Sequence, residues 1–236
     1  RFRGAILGLM RLKRLSVYRK NIVKTTKREI ENIFRIEIEK KISNNGYQLD
    51  ENNIFRKRHN KDIMWFFSAS LWNDRPYSVS SSIGCEYINA TVAIKKFIEE
   101  NGGVFEEFAK VTFAGELDRH AQTNHIIKIS SESDIQLSVD IFLRKLDEAE
   151  KKFLLPRVDQ KIVVEEYFKP IAKWPTGDLT KCCVTILSYA LINNDFSLFK
   201  RGLERVFETI NKPNYSQRNR EFFEFLKNSS PYRASN

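Results

Sequence analysis

Cysteine and long apolar runs are what this sequence has least of. Only three cysteines, Cys85, Cys182 and Cys183, occur in 236 residues. An odd number with two side by side does not make a disulfide framework. Adjacent thiols also cannot chelate as Cys-x-x-Cys does, so Cys182 and Cys183 read as small apolar packing residues. A reducing cytoplasm is the compartment expected. No apolar run approaches the ~18 residues that span a bilayer. The richest, Ile63 to Trp72, is too short and is broken by Ser68 and Ser70. No secretory leader is recognised.

Acidic residues are missing from one place. Residues 1–28 hold ten basic side chains and no Asp or Glu, whereas the whole chain carries a net charge of +10. With those ten set aside, thirty Lys and Arg face thirty Asp and Glu, so the remaining chain is formally neutral. The basicity belongs to this N-terminal stretch, most of it to an arm over residues 1–24. Within it Phe2, Ala5, Ile6, Leu9 and Leu12 fall roughly at helical spacing between the cations. That pattern suits a membrane-surface helix, a targeting presequence or a nucleic-acid-binding arm. The plain alternative is a solubilising tail. The chain opens on Arg1, and Met10 is a candidate initiator, with residues 1–9 a tag remnant or upstream read-through.

Local signals strengthen after the arm. Thr26-Lys27-Arg28-Glu29 has the spacing of a capping box, and Ile30, Ile33, Phe34, Ile38 and Ile42 form an apolar stripe. A helix is expected from about Lys27 to Asn44, stopped by Asn45-Gly46. A short strand pair is expected at Tyr47 to Leu49 and Ile54 to Arg58. In the next strand Ile63, Trp65, Phe67, Ala69 and Leu71 share one face, while Met64, Phe66, Ser68, Ser70 and Trp72 share the other. After the turn at Asn73 to Pro76, Tyr77, Val79, Ile83 and Cys85 alternate with Ser78, Ser80, Ser82 and Gly84. One face dry and one polar defines an antiparallel meander. A helical period begins at Ala90 or Thr91 and ends at Asn101-Gly102-Gly103.

The order of these signals carries a resemblance. A helix ending in Asn45-Gly46-Tyr47, an Ile54-Phe55-Arg56-Lys57 strand, Trp/Phe-rich and Ser-rich strands, His125 to Ser130 and a helix closing on Phe153 to Pro156 together resemble certain bacterial families of small α+β proteins. It covers about residues 27–168 and rests on order and residue type. It implies a small α+β fold without catalytic residues, and a protein-interaction role beside toxin or defence systems. The basic arm and the helical C-terminus depart from that pattern.

Three places invite chemistry. Ser78, Ser80, Ser81 and Ser82 suggest a nucleophile, but no Gly-x-Ser-x-Gly elbow is present and alternating Ser is the ordinary solvated face of a strand. Asp118, His120 and His125 could meet as metal ligands or as an acid–base set if a loop folds back onto a strand. His120 and His125 are five apart, not the four of a helical metal pair. The alternative is a polar surface loop over residues 115–124, with His125 opening the next strand. Lys57, Arg58 and Lys61 beside Trp65, Phe66 and Trp72 offer cations and aromatics together, the materials of a single-strand nucleic-acid surface. With Arg11, Lys13, Arg14, Arg19 and Lys20 of the arm they are the nucleic-acid candidates. The alternative is aromatics in the core with cations at its rim.

The last third is helical. Ser131 to Asp134 caps a helix carrying Leu137, Val139, Ile141, Phe142 and Leu146. Val163, Val164, Tyr167 and Phe168 mark another. Asp178 caps a helix with Leu179, Cys182, Cys183, Ile186 and Ala190, and Asn193-Asn194-Asp195 joins it to Phe196, Phe199, Leu203 and Val206. In the last helix Phe222, Phe223, Phe225 and Leu226 cover more than one face, which fits a tail wedged into the body or into a second copy.

The expected class is therefore α+β, with an antiparallel meander sheet of about four to six strands packed by helices. Residues 1–24 are the arm, 25–158 the α+β domain and 159–236 a helical subdomain. The expected function is a non-catalytic cytoplasmic protein-interaction module, associated by the resemblance with a bacterial toxin or defence system. Nucleic-acid binding through the arm is the first alternative, and a metal-dependent hydrolase centred on residues 118–125 the second. No cofactor and no resident metal are expected. A protein partner is, and a homo-oligomer through the Phe-rich C-terminal helix is a further option.

Overall fold

The computed structural model describes residues 25–121, 126–170, 178–210 and 216–229. Helix α1, Lys27–Ile42, starts on the capping box its sequence spells. Thr26 Oγ1 accepts from the Glu29 amide at 3.2 Å, and the Glu29 carboxylate accepts from the Thr26 amide at 2.6 Å. Ile30, Phe34, Ile38 and Ile42 recur every fourth residue and are all buried, so one narrow stripe faces the sheet. A 3-10 turn, Ser43–Asn45, tightens its end.

A meander comes next: β1 (Gln48–Leu49), β2 (Ile54–Asn60), β3 (Ile63–Trp72) and β4 (Tyr77–Tyr87), each antiparallel to the one before. Helix α2 (Ile88–Glu100) leaves directly from β4, two residues earlier than its apolar period suggests. The chain then returns as β5 (Thr112–Glu116) along the free edge of β4, turns through the short helix α3 (Leu117–His120), and adds β6 (Lys128–Ile129) further along that edge. The six-stranded sheet runs β1-β2-β3-β4-β5, with β6 also on β4. Gly115 and Glu116 thus belong to a strand, and Leu117 in the turn after it is fully buried. Residues 115–121 are not the polar loop expected. The strand was illegible because it is short and mixed in polarity, and because its partner is the distant β4.

One face of the sheet is dry. Phe67 sits at its centre, stacked on Phe55 at 4.6 Å, edge-on to Tyr47 at 5.1 Å and tilted against Phe142 at 5.6 Å. Phe142 lies on α4 (Ile135–Ala149), which pairs with α1 through an edge contact from Phe34 at 6.0 Å. Beyond Ala149 the helix loosens into a π turn, Glu150–Leu154, and a 3-10 turn, Leu155–Arg157. Helix α5 (Gln160–Tyr167) leads towards α6 (Leu179–Ile192), α7 (Phe196–Ile210) and α8 (Gln217–Asn228). These helices close over α2 and the connection after it: Phe199 meets Phe97 at 5.6 Å and Phe222 stacks on Phe108 at 4.6 Å. A single apolar cluster runs from Ile30 to Leu226. Phe222, Phe223 and Leu226 are buried within this one chain. The three thiols are free and buried, and burial pushes each well above its ordinary range. The Phe67→Ala variant should lose about 3–5 kcal/mol of unfolding free energy in a denaturant titration, because the cavity opens where strand and helix side chains meet.

Candidate functional site

The structure brings Asp118 and His120 onto one helical turn but sends their side chains to different partners. Asp118 Oδ1 accepts from Lys145 Nζ at 2.6 Å. Lys145, on α4, is only 3% exposed, whereas its partner carboxylate reaches the surface. The pair ties α3 to α4 and places a carboxylate against a buried ammonium. His120 lies flat on Phe153, 3.5 Å between ring centres and 14° between planes. The π turn brings Phe153 there. The edge of the imidazole rests on Gly115: a Cβ at that position would stand 2.0 Å from Nε2, so only glycine fits beneath it. His120 Nε2 is buried with no hydrogen-bond partner. Burial first, then the charges of Arg157 and Arg119, push its pKa from 6.5 down to about 4. Arg157 itself makes paired bonds to Glu166 at 2.8 and 2.7 Å and lies over Phe153 at 4.6 Å.

These contacts describe a support, with an acid holding a lysine and a neutral imidazole filling space. His125 lies outside the described residues, and among those described no three His, Cys, Asp or Glu side chains gather as a metal ligand set.

The basic candidates separate as well. Arg11, Lys13, Arg14, Arg19 and Lys20 fall outside the described residues. Lys57 and Arg58 are neighbours on a strand and so face opposite ways. Lys57 joins the dry side, with its ammonium 5.2 Å from the Tyr47 ring, 5.4 Å from Trp65 and 3.7 Å from Glu150. Arg58 is exposed and donates to the Lys61 carbonyl at 3.2 Å. The three cations do not form one surface.

The second face of the sheet is left open, and it is the feature with most to offer a partner. Ile54, Met64 and Phe66 are half-buried there, and Trp72 is 59% exposed at the far end of β3. Phe66 lies flat because it crosses Gly84 on β4, where a Cβ would stand 2.5 Å from its ring and 2.4 Å from the Phe113 carbonyl. Between these apolar groups runs the serine ladder. Ser68 and Ser82, directly opposite in register, hydrogen-bond each other at 2.8 Å. No described histidine shares this face: His59 stacks on Trp65 and His120 on Phe153, both on the dry side. Among the described residues, the serines of this face therefore have no histidine base beside them.

Charge on the open face is organised at one end. Arg56 bonds Asp50 at 2.7 Å, approaches Glu86 at 3.6 Å, and has its guanidinium 6.0 Å from the Phe66 ring centre. Lys110 reaches the same Glu86 at 3.1 Å. The bond from Arg56 holds the Asp50 carboxyl below its ordinary range. The role of Arg56 and Glu86 was missed because their partnership is made across three strands. Alternation did place Phe66, the serines and Trp72 together.

No protein-family model, no curated protein and no solved structure matches the chain. Among the described residues, no helix is long and apolar enough to cross a membrane.

Two outcomes separate support from catalysis. Asp118→Ala should cost measurably more, because it takes a carboxylate away from a buried ammonium, than Asp140→Ala, which breaks the exposed pair with Lys41 and should cost less than about 1 kcal/mol. His120 is harder to protonate folded than unfolded. Stability should therefore fall as pH drops from about 6.5 to about 4, where the unfolded chain takes the proton first, and then level off. His120→Gln should flatten that slope in melts run across the same window.

Proposed function

We propose that this chain is a non-catalytic protein-interaction module of the cytoplasm, and that it presents the open face of its sheet to another protein. One observation carries this reading: a six-stranded sheet buries one face under helices and leaves Met64, Phe66, Ile54 and Trp72 accessible on the other. Apolar side chains flanked by hydroxyls and a few cations match the make-up of protein interfaces. The partner suited to it has a flat, partly apolar surface with acceptors for the Ser hydroxyls, Arg58 and Lys128. The resemblance to bacterial α+β families supports a partner from a toxin or defence system. The buried free thiols suit a reducing compartment.

Glu86 and Glu116 stand on the same face and would repel phosphates, which favours protein over nucleic acid. Nucleic-acid binding remains a reading of residues 1–28 alone, supported by their ten uncompensated charges. It requires steep salt dependence and loss of binding when the arm is removed. A homo-oligomer through α8 would have to use the face that Phe222, Phe223 and Leu226 leave outside. The hydrolase reading draws no support from an Asp118 already held by Lys145.

A photo-crosslinking residue at Ser80 of the full chain, expressed in bacterial cells, should capture a distinct protein, while the same residue at Lys96 on α2 should not. Equal capture at both positions, or none at Ser80, would overturn the assignment of the open face.

A further inference from the structure

The described part of the chain begins at one end of the sheet. Thr25, its first residue, is held from two sides: Arg75 donates to its carbonyl, and its hydroxyl donates to Glu132 Oε1 at 3.0 Å. Arg75 lies in the turn between β3 and β4, just after Trp72, and its guanidinium is 5.6 Å from the Tyr77 ring. Residues 1–24 therefore join the body where Trp72 stands 59% exposed on the open face. Ile126 is 61% exposed at the same end, just before β6 pairs with the start of β4.

Length and chemistry both fit that face. β4 has 11 residues, a span of about 35 Å at about 3.3 Å per residue. The residues before Thr25 cover about as much even at the helical rise of about 1.5 Å each, and more when extended. Leu9, Leu12 and Leu15 supply apolar side chains, and Phe66, Met64 and Trp72 are incompletely buried on the face they would cross. Residues 1–24 hold eight Lys and Arg and no acid. Asp74, beside Trp72, and Glu116, opposite Ser82, are exposed and make no ion pair among the described residues. The cations Lys128 and Arg58 stand at opposite corners of the face, away from Glu116.

Tethering makes such a contact easy to populate. A segment joined to the surface it meets acts at an effective concentration of about 1 mM, so a contact with a dissociation constant of about 0.1 mM is about nine-tenths formed. We infer that residues 1–24 lie across the open face as an intramolecular cover, their apolar side chains toward Trp72 and Phe66 and their cations toward Asp74 and Glu116. A protein partner binds there by displacing them. The inference rests on the open face being the binding surface and adds how access to it is controlled.

Purified full chain carrying the photo-crosslinking residue at Ser80 tests the cover, with products mapped by peptide mass spectrometry. Ser80 should crosslink to residues 1–24 in a product of monomer mass, and the same residue at Lys96 should not. Asp74→Lys combined with Glu116→Lys should lower that yield by about half or more, as two exposed attractions become repulsions. No crosslink from Ser80 to the arm, equal crosslinking from Lys96, or a yield unmoved by the two reversals would overturn the cover. Products joining two chains, and growing with concentration, would overturn it in favour of a second copy. In cells, Leu9→Asp with Leu12→Asp in the full chain should raise capture of the partner at Ser80 about tenfold, the reciprocal of the fraction left uncovered. Unchanged capture would overturn the cover and leave the open-face reading standing. Arm crosslinks in purified protein, with no protein captured in cells by either chain, would support the cover and overturn the outside partner.

Discussion

The ring of Phe67 is where sheet and helices meet. It touches Phe55 on the neighbouring strand, Tyr47 before β1 and Phe142 on α4, and through Phe142 it reaches Phe34 on α1. Offset and edge-on aromatic contacts add to the area they bury, so this cluster fixes both the register of the meander and the seating of two helices. A one-residue slip of β3 would exchange Phe67 for Phe66 or Ser68 and turn the dry face outward.

Because one face must be dry, polar groups that fall on that side have to be matched or made neutral. Lys145 is matched by Asp118. His120 is kept neutral and laid on Phe153. Lys57 lies against two rings and near Glu150. The residues with the most reactive side chains are thus the ones most fully committed to holding the fold. The open face, by contrast, keeps Met64, Phe66 and the serines only partly buried.

That division also decides what could be read in advance. Capping boxes and stripes are local, so α1 and the Asp178 cap of α6 are legible within a few residues of where they occur. Alternation along Ile63 to Trp72 is local too, and it assigned Phe66, Trp72 and the serines to one face. β5 was not legible, because five residues of mixed polarity become a strand only beside β4.

The sequence by itself determined the meander, its dry and open faces and the run of C-terminal helices, because the periods of two and of about 3.6 that specify them are written between near neighbours. Only the tertiary structure decided that Asp118 answers a lysine, that His120 rests on Gly115, and that Phe222 and Phe223 close this chain's own core. Each of those depends on distance across the fold, and residue order does not encode distance.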